Sequence, residues 1–438
     1  VRTTTTINFQ LTPALKQQFL TWANTHHEEV VWLDTNAYKG GQVPSKYQAI
    51  LGVEAFTAIQ TEAVGAFDRL NEYQQITKDW ILGYLSYDLK NDTESLKSEN
   101  ADALHFPELY FFQPKKLFLF TEKTLEIQYL KMVDDEVDED LKDIFLAEIN
   151  YLNKDILTPE YKEVKNKINK DKYISKIHDI LAYIQRGDIY EVNFCQEFYI
   201  ENTSINPLSV YHKLNQISQP PFAVFFKNAQ HFLLSASPER YLKKQGSTIV
   251  SEPIKGTSKR GKNITEDEHL KKALVNDPKE RAENIMIVDL VRNDLSKTAT
   301  KGSVTVEALC KLCTFKQVHQ LISTVQSTIN TSETTPVDVI KTTFPMGSMT
   351  GAPKLRAMEI IEELEETKRG LYSGSIGYFT PEGDFDFNVV IRSILYNEAE
   401  KYVSFSVGGA ITSKSNPEKE YEECLLKAKA MKQVLASM

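Results

Sequence analysis

The sequence predicts an α+β fold built on antiparallel sheets, and three observations predict it. Strand-like runs rich in β-branched and aromatic residues, and runs of helical period, come in clusters rather than in strict strand–helix alternation. Short apolar runs flank tight turn signals, such as Asn228-Ala229 between Phe222–Phe226 and Phe232–Ser235, as antiparallel neighbours require. A hydrophobic content of 41% and an aromatic content of 10% over 438 residues are ample for a large core and unlike a disordered or fibrous chain.

Taken in order, Thr4 to Leu11 alternates as a strand, and Ala14 to Ala23 has helical spacing. Val30 to Asp34 is a short apolar strand, Lys39-Gly40-Gly41 a turn, and Trp80 to Leu89 a buried strand entering a loop. Leu109–Phe112 and Leu117–Thr121 read as a hairpin about Gln113-Pro114, continued by Thr124 to Tyr129. Asp134 to Asp140 is a solvated acidic helix start or loop. Lys154 to Lys172 is polar and Lys-rich, and is the natural break between an N-terminal region, 1–153, and a second region, 173–438.

Beyond it, Tyr173 to Gln185 carries Ile174, Ile177, Ile180 and Ile184 on one stripe of a helix. Tyr190 to Phe194 is a strand, and strand, turn and strand recur through Tyr241 to Pro253. Helices follow at Glu266–Val275 and Pro278–Asn293, the second capped by Asp277 and opened by Pro278. The last third repeats the mixture: a helix over Pro353–Glu366, strands across Gly374–Phe379, Asn388–Tyr396 and Tyr402–Val407, and a final helix from Asn416-Pro417.

Function classes fall away on bulk properties. A formal net charge of −9 argues against a nucleic-acid partner, which needs a basic surface. A local Arg/Lys cluster can still bind a small anion against that global sign. No apolar run approaches the roughly 18 residues of a membrane span, and Val1 to Thr6 has no apolar leader core. Four cysteines, with a single C-x-x-C at Cys310 and Cys313, are expected to be reduced thiols of a cytoplasmic protein.

Six constellations can carry chemistry. Glu280 and Glu283 lie one helical turn apart, as do Glu420 and Glu423, with Lys427 four residues after Glu423. Either pair alone describes a solvated helix flank; together they would make a hard-oxygen site for Mg²⁺, and spacing does not bring them together. Lys255 sits in a Pro-Ile-Lys-Gly-Thr turn, and a lysine in a partly dry site near other cations can lose its proton and attack carbon. Glu239 ends a strand, where pairing with Arg240 is the ordinary outcome, and a lone His319 in an apolar stretch is ordinarily structural. Gly347 to Lys354 is a Gly-rich loop entering a helix, with spacing wrong for a Walker A loop but amides that suit a carboxylate. Gly408-Gly409-Ala410, after a strand, allows a similar close approach.

Several longer motifs occur in one order: Pro253 to Thr257, Arg281 to Asp294, Gly347 to Glu359, Gly374 to Phe379, Val390-Ile391-Arg392, Gly409 to Thr412 and Glu420 to Ala428. In that order the chain resembles the chorismate-utilising enzymes, densely from Tyr173 onward and weakly before it, at Gly83 to Asp88. The resemblance implies layered antiparallel sheets flanked by helices, with N- and C-terminal halves intermeshed, so that Lys154–Lys172 is a crossing within one unit. Lys255 resembles the aminodeoxychorismate-synthase branch, since anthranilate synthases carry Ala there. It implies Lys255 as a nucleophile at C2 of chorismate and Glu239 as general acid, with ammonia then added at C4. It implies Mg²⁺ at Glu283 and Glu423 supported by Glu280 and Glu420. Gly256, Thr257, Ser348, Tyr378, Arg392, Gly408, Gly409 and Lys427 would grip the substrate carboxylates, and His319 would be a site histidine. Ammonia would come from a separate glutaminase subunit, because Cys195, Cys310, Cys313 and Cys424 lack a glutaminase context. The alternative within the family is an anthranilate-synthase-type lyase, with Lys255 a bystander.

Overall fold

The computed structural model describes residues 1–40, 43–147 and 163–437. Antiparallel pairing runs from the N-terminal strand Arg2–Asn8 through Thr124–Leu130, Leu109–Phe120, Ala49–Thr61 and Glu29–Asp34. It continues, without a break, into Phe222–Asn228, His231–Ser237, Ser393–Asn397, Tyr402–Thr412 and Glu191–Ile200. A second branch leaves Leu109–Phe120 through Ile81–Leu85 to Ser375–Phe379, Phe385–Val389, Arg240–Gln245, Thr248–Glu252 and Val318–Thr328.

Strand alternation explains the layering. Val30 and Trp32 enter one apolar cluster, with the helices Pro13–His26, Lys170–Arg186, Pro207–Ser218, Lys354–Leu364 and Pro417–Ala436. Val31, between them, enters the other, which fills the space between the two branches together with Ile287, Val288 and Val291 of the helix Pro278–Ser296. The fold is thus α+β, and the halves intermesh: Val31 pairs with Phe226, and Gly83 with Gly377.

Several expectations shift. Leu109–Phe120 is one strand, not a hairpin about Gln113-Pro114. Pro114, which has no N–H to donate, stands where the strand changes neighbour from Ile81–Leu85 to Thr124–Leu130, opposite a bulge in Ala49–Thr61. Asn388–Tyr396 divides into Phe385–Val389 and Ser393–Asn397, with Arg392 at φ 51° in the break. Lys255 lies in a bulged strand, Ile254–Lys259, rather than a turn. Of the polar stretch Lys154–Lys172, residues 154–162 lie outside the described residues, as does Gly41 of the proposed turn; Lys165–Asn166 pairs with Phe198 and Tyr199. The strand Ala49–Thr61 and the helices Ala66–Thr77 and Pro207–Ser218 were not anticipated.

Candidate active site

Lys255 is held by its backbone first. The strand Ile254–Lys259 loses register against Val318–Thr328 between Ile254 and Thr257. Gly256 takes φ +93° there, and a Cβ on it would lie 3.2 Å from both Glu280 Oε2 and Leu321 Cδ1. Asn284, on the helix Pro278–Ser296, donates from Nδ2 to the carbonyls of Lys255 and Leu321, each at 3.1 Å, and accepts from Ser323. Helix and bulge are therefore locked together, which aims the lysine at Glu191, the first residue of the strand Glu191–Ile200. Lys255 Nζ donates to Glu191 Oε1 at 2.8 Å, with the two side chains 12% and 1% exposed.

The electrostatics of that lysine reverse the sequence-based expectation. Burial alone pulls its pKa down, but the carboxylates of Glu191, Glu283 and Glu239 outweigh burial and hold it above the usual lysine range. No neighbouring cation keeps it neutral; in this arrangement it is an ammonium. Glu239 behaves in the opposite way. Burial pushes it up to about 7, against a hydrogen bond from Ser348, the charge of Lys255, the backbone at Ile254 and the charge of Arg392. It is not the partner of Arg240, whose guanidinium bonds Asp386 at 2.9 Å and also pairs with Glu252. Arg392 is itself lowered by burial, with Glu239 opposing.

The two glutamate pairs do converge. Asp277 and Asn416 cap the helices Pro278–Ser296 and Pro417–Ala436, each with Pro at the first position. Glu280, Glu283, Glu420 and Glu423 all fall in or next to the first turns, where the helix dipole favours carboxylates. Lys279 Nζ lies 3.8 Å from Glu283 Oε1 and 4.0 Å from Glu420 Oε1, so one cation bridges the helices. Burial, reinforced by Glu191 and Glu280, pushes Glu283 up to about 7 in spite of Lys255 and Lys279. Burial likewise raises Glu280 and Glu420. For Glu423 burial is outweighed by Lys427, Lys279 and Lys255, which hold it below the usual range.

A divalent cation fits this donor set. Glu283 Oε1 is a buried acceptor without a hydrogen-bond donor, and burial with the charges of Glu191 and Glu280 outweighs Lys255 and Lys279 there. Among the described residues no group of three or more His, Cys, Asp or Glu side chains is placed to hold a metal ion. That pattern suits Mg²⁺, which takes one or two carboxylates and keeps positions for water and substrate.

Around the lysine and the glutamates stand the remaining walls. Lys427 bonds Glu423 at 2.8 Å and the Gly408 carbonyl at 3.0 Å. A Cβ on Gly408 would lie 2.4 Å from Cys195 Sγ, whereas Gly409 is open toward Glu420 Oε2 and Lys427 Nζ, 3.6 and 3.9 Å away. Ser348 is brought to Glu239 by a loop that Lys354 clamps from behind, through the carbonyls of Thr343 and Pro345 at 2.9 and 2.8 Å and the carboxylate of Asp294. The amides of Met349 and Thr350 are spent on Met346 and Gly347, so the loop offers a hydroxyl and not a row of free amides.

Three expected site residues sit apart from this group. His319 is fully buried, with its ring nitrogens 2.9 Å from Asp267 Oδ1 and 3.0 Å from Thr314 Oγ1. Asp267 is held far below the carboxylate range by Arg260, then by the Gly261 amide, with His319 contributing. Tyr378 lines another cavity, with Asp34, Tyr47 and Asn388, its ring 5.5 Å from that of Trp80. Thr257 is exposed, its hydroxyl accepting from Gln320 at 3.3 Å. Glu191 and Asn284 were not singled out from the sequence; a carboxylate opening a strand as apolar as Val192-Asn193-Phe194-Cys195 was the available signal.

Comparison with known proteins follows the same lines. The model of the family described as chorismate binding enzyme matches residues 28–433. The chain is 36% identical over 351 residues to an anthranilate synthase component I-like protein of Synechocystis, covering 80% of this chain and 71% of that one. It is 34% identical over 362 residues to aminodeoxychorismate synthase component 1 of Bacillus subtilis, covering 81% and 76%. It is 42% identical over 265 residues to the chloroplastic aminodeoxychorismate synthase of Arabidopsis thaliana, 60% of this chain but only 28% of that longer protein. Among solved structures, anthranilate synthase component I from Streptococcus pneumoniae superposes with a TM-score of 0.77 at 25% identity, over 90% of this chain and 93% of that one. By its fold, its ordered motifs and a family match that spans nearly its whole length, the chain belongs to the chorismate-binding enzyme family.

Proposed function

We propose that this protein is the chorismate-converting component of an aminodeoxychorismate synthase. It replaces the C4 hydroxyl of chorismate by an amino group, for 4-aminobenzoate and folate synthesis in the cytoplasm. The observation that carries the reading is Lys255: 12% exposed, fixed on a bulged strand, and directed into a cluster of carboxylates. A solvated structural lysine needs none of that support. The relatives named aminodeoxychorismate synthase lend it further weight.

In this reading Arg392, Lys427, Ser348 and the backbone at Gly256, Gly408 and Gly409 bind the two carboxylates of the substrate through charge-assisted hydrogen bonds, and Thr257, exposed beside them, takes no part. Lys255, once neutral, adds to C2; both ring double bonds shift, and the C4–O bond breaks. Glu239, still protonated near neutral pH, donates its proton to the departing oxygen, so water leaves. Ammonia then adds at C4, both double bonds shift back, and the C2–N bond breaks to release the lysine. Glu283 and Glu423, with Glu280 and Glu420 in support, would hold Mg²⁺, whose charge would offset that of the ring carboxylate. His319 acts at one remove, tying the Val318–Thr328 strand to Asp267. Tyr378, facing another cavity, takes no part. Ammonia is supplied by a separate glutaminase subunit, the four cysteines of this chain being buried thiols in other settings.

The test is mass analysis of the product from chorismate, ammonium and Mg²⁺. Aminodeoxychorismate is expected; anthranilate with pyruvate would replace this reading by the lyase.

A further inference from the structure

Lys255 is an ammonium in the resting site, yet an amine must attack. Its proton therefore needs an acceptor that is already in place. Four carboxylates face the lysine from four elements: Glu191 on its own strand, Glu239 at a strand end, and Glu283 and Glu423 on the two helices. Only Glu191 is hydrogen-bonded to it, Oε1 to Nζ at 2.8 Å. Glu191 is also the most enclosed, 1% exposed, and its second oxygen is buried without a hydrogen-bond donor. A carboxylate left half-unsatisfied in a dry site costs stability unless it is used, because each unpaired buried polar group carries a desolvation penalty.

We propose that Glu191 is the positioning residue that takes the proton of Lys255 as the lysine adds to the ring and returns it when the lysine leaves. The step balances without a further reagent and rests on the covalent reading above. The pair passes from Lys–NH₃⁺ with Glu–COO⁻ to Lys–NH₂ with Glu–COOH, and the amine lone pair then forms the C2–N bond, leaving a secondary ammonium. When ammonia bonds to C4, the C2–N electrons return to the lysine as neutral amine, and the Glu191 proton restores the ammonium. No proton has crossed to solvent. Glu239 is left free to serve the leaving oxygen alone, and it recovers its proton from the ammonium formed at C4.

The transfer predicts a specific pH signature. With Glu191 present, the rate of adduct formation on mixing enzyme, Mg²⁺ and chorismate without ammonia carries no dependence on the charge of Lys255, because the proton stays within the pair; it falls only as pH rises through about 7, where Glu239 loses the proton it gives to the leaving oxygen. In Glu191→Gln the bound dianion and the remaining carboxylates keep Lys255 charged, and its proton has to go to water. Adduct formation, read by quenched-flow and intact-protein mass, is expected to fall at least about tenfold at pH 7, and its ratio to the wild-type rate to rise about tenfold per pH unit. Glu191→Asp, which keeps an acceptor, is expected to restore the wild-type profile at a reduced rate. Chorismate binding by each variant, measured by equilibrium dialysis, reports whether the site is still folded. Parallel profiles for wild type and Glu191→Gln, with or without a uniform loss of rate, overturn the proposal. If the wild type forms no lysine adduct, the covalent reading fails and this inference with it; an adduct with an unchanged profile sinks the inference alone.

Discussion

Two ionisable groups in one site are driven in opposite directions by different causes, and the difference assigns their roles. Glu239 keeps its proton up to about pH 7 because it is buried; Lys255 is charged because carboxylates surround it. Glu239→Gln should lower kcat by about 10²–10⁴-fold while leaving chorismate affinity nearly unchanged. In the wild type, kcat should fall as pH rises through about 7, where Glu239 loses its proton. Its folded-state value lies above that of an exposed carboxylate, so its burial is tolerated at low pH and penalised as pH rises through that value. Thermal melting of Glu239→Gln should thus exceed wild type at pH 8 and match it at pH 5, with a difference of at most about 3 kcal/mol. Lys255, Glu239, Arg392 and Ser348 were legible as residues, because their motifs are distinctive. Glu191 was not, since its importance lies in a contact across 64 residues of sequence that no local pattern encodes. Tyr378 misled for the same reason: strand alternation turns it to the face opposite the one that its motif suggested.

At the scale of elements, the site is made by two helix starts meeting a bulged strand. Both starts were visible in Asp277-Pro278 and Asn416-Pro417, and their glutamate spacing was visible too; that Lys279 joins them was not. Mg²⁺ should raise the melting temperature of the wild type, and Glu283→Gln or Glu423→Gln should abolish that increase; equal increases in all three would remove the metal from these residues. Asn284→Ala strands the carbonyls of Lys255 and Leu321 and the hydroxyl of Ser323. We expect a loss of about 1–3 kcal/mol in denaturant unfolding together with a lower kcat. Stability lost with kcat intact would mean that the bulge needs no such lock. The breaks at Pro114 and Val390–Arg392 went unread because a strand that exchanges neighbours, or a residue at positive φ, has no signature in hydrophobic period.

At the scale of the molecule, the N-terminal strands are not an accessory. Ile81–Leu85 lies between Leu109–Phe120 and Ser375–Phe379, and at Gly83 a Cβ would meet the Tyr110 carbonyl at 2.0 Å. Gly83→Val should therefore destabilise the whole chain, and chemical unfolding followed by tryptophan fluorescence (Trp22, Trp32, Trp80) and by catalytic activity should give one coincident transition. Separate transitions would mean that the catalytic half stands alone. The clustering of strands made the α+β class legible, whereas the crossing of the halves had to come from family resemblance, because long-range pairing leaves no local trace. The account as a whole rests on Lys255 forming a bond to carbon. The most direct measurement is peptide mapping of enzyme quenched after mixing with chorismate and Mg²⁺ in the absence of ammonia. The account predicts a mass increase of chorismate less water on the peptide carrying Lys255, lost on adding ammonium and absent from Lys255→Ala. Full turnover by Lys255→Ala, with no adduct in the wild type, would contradict it.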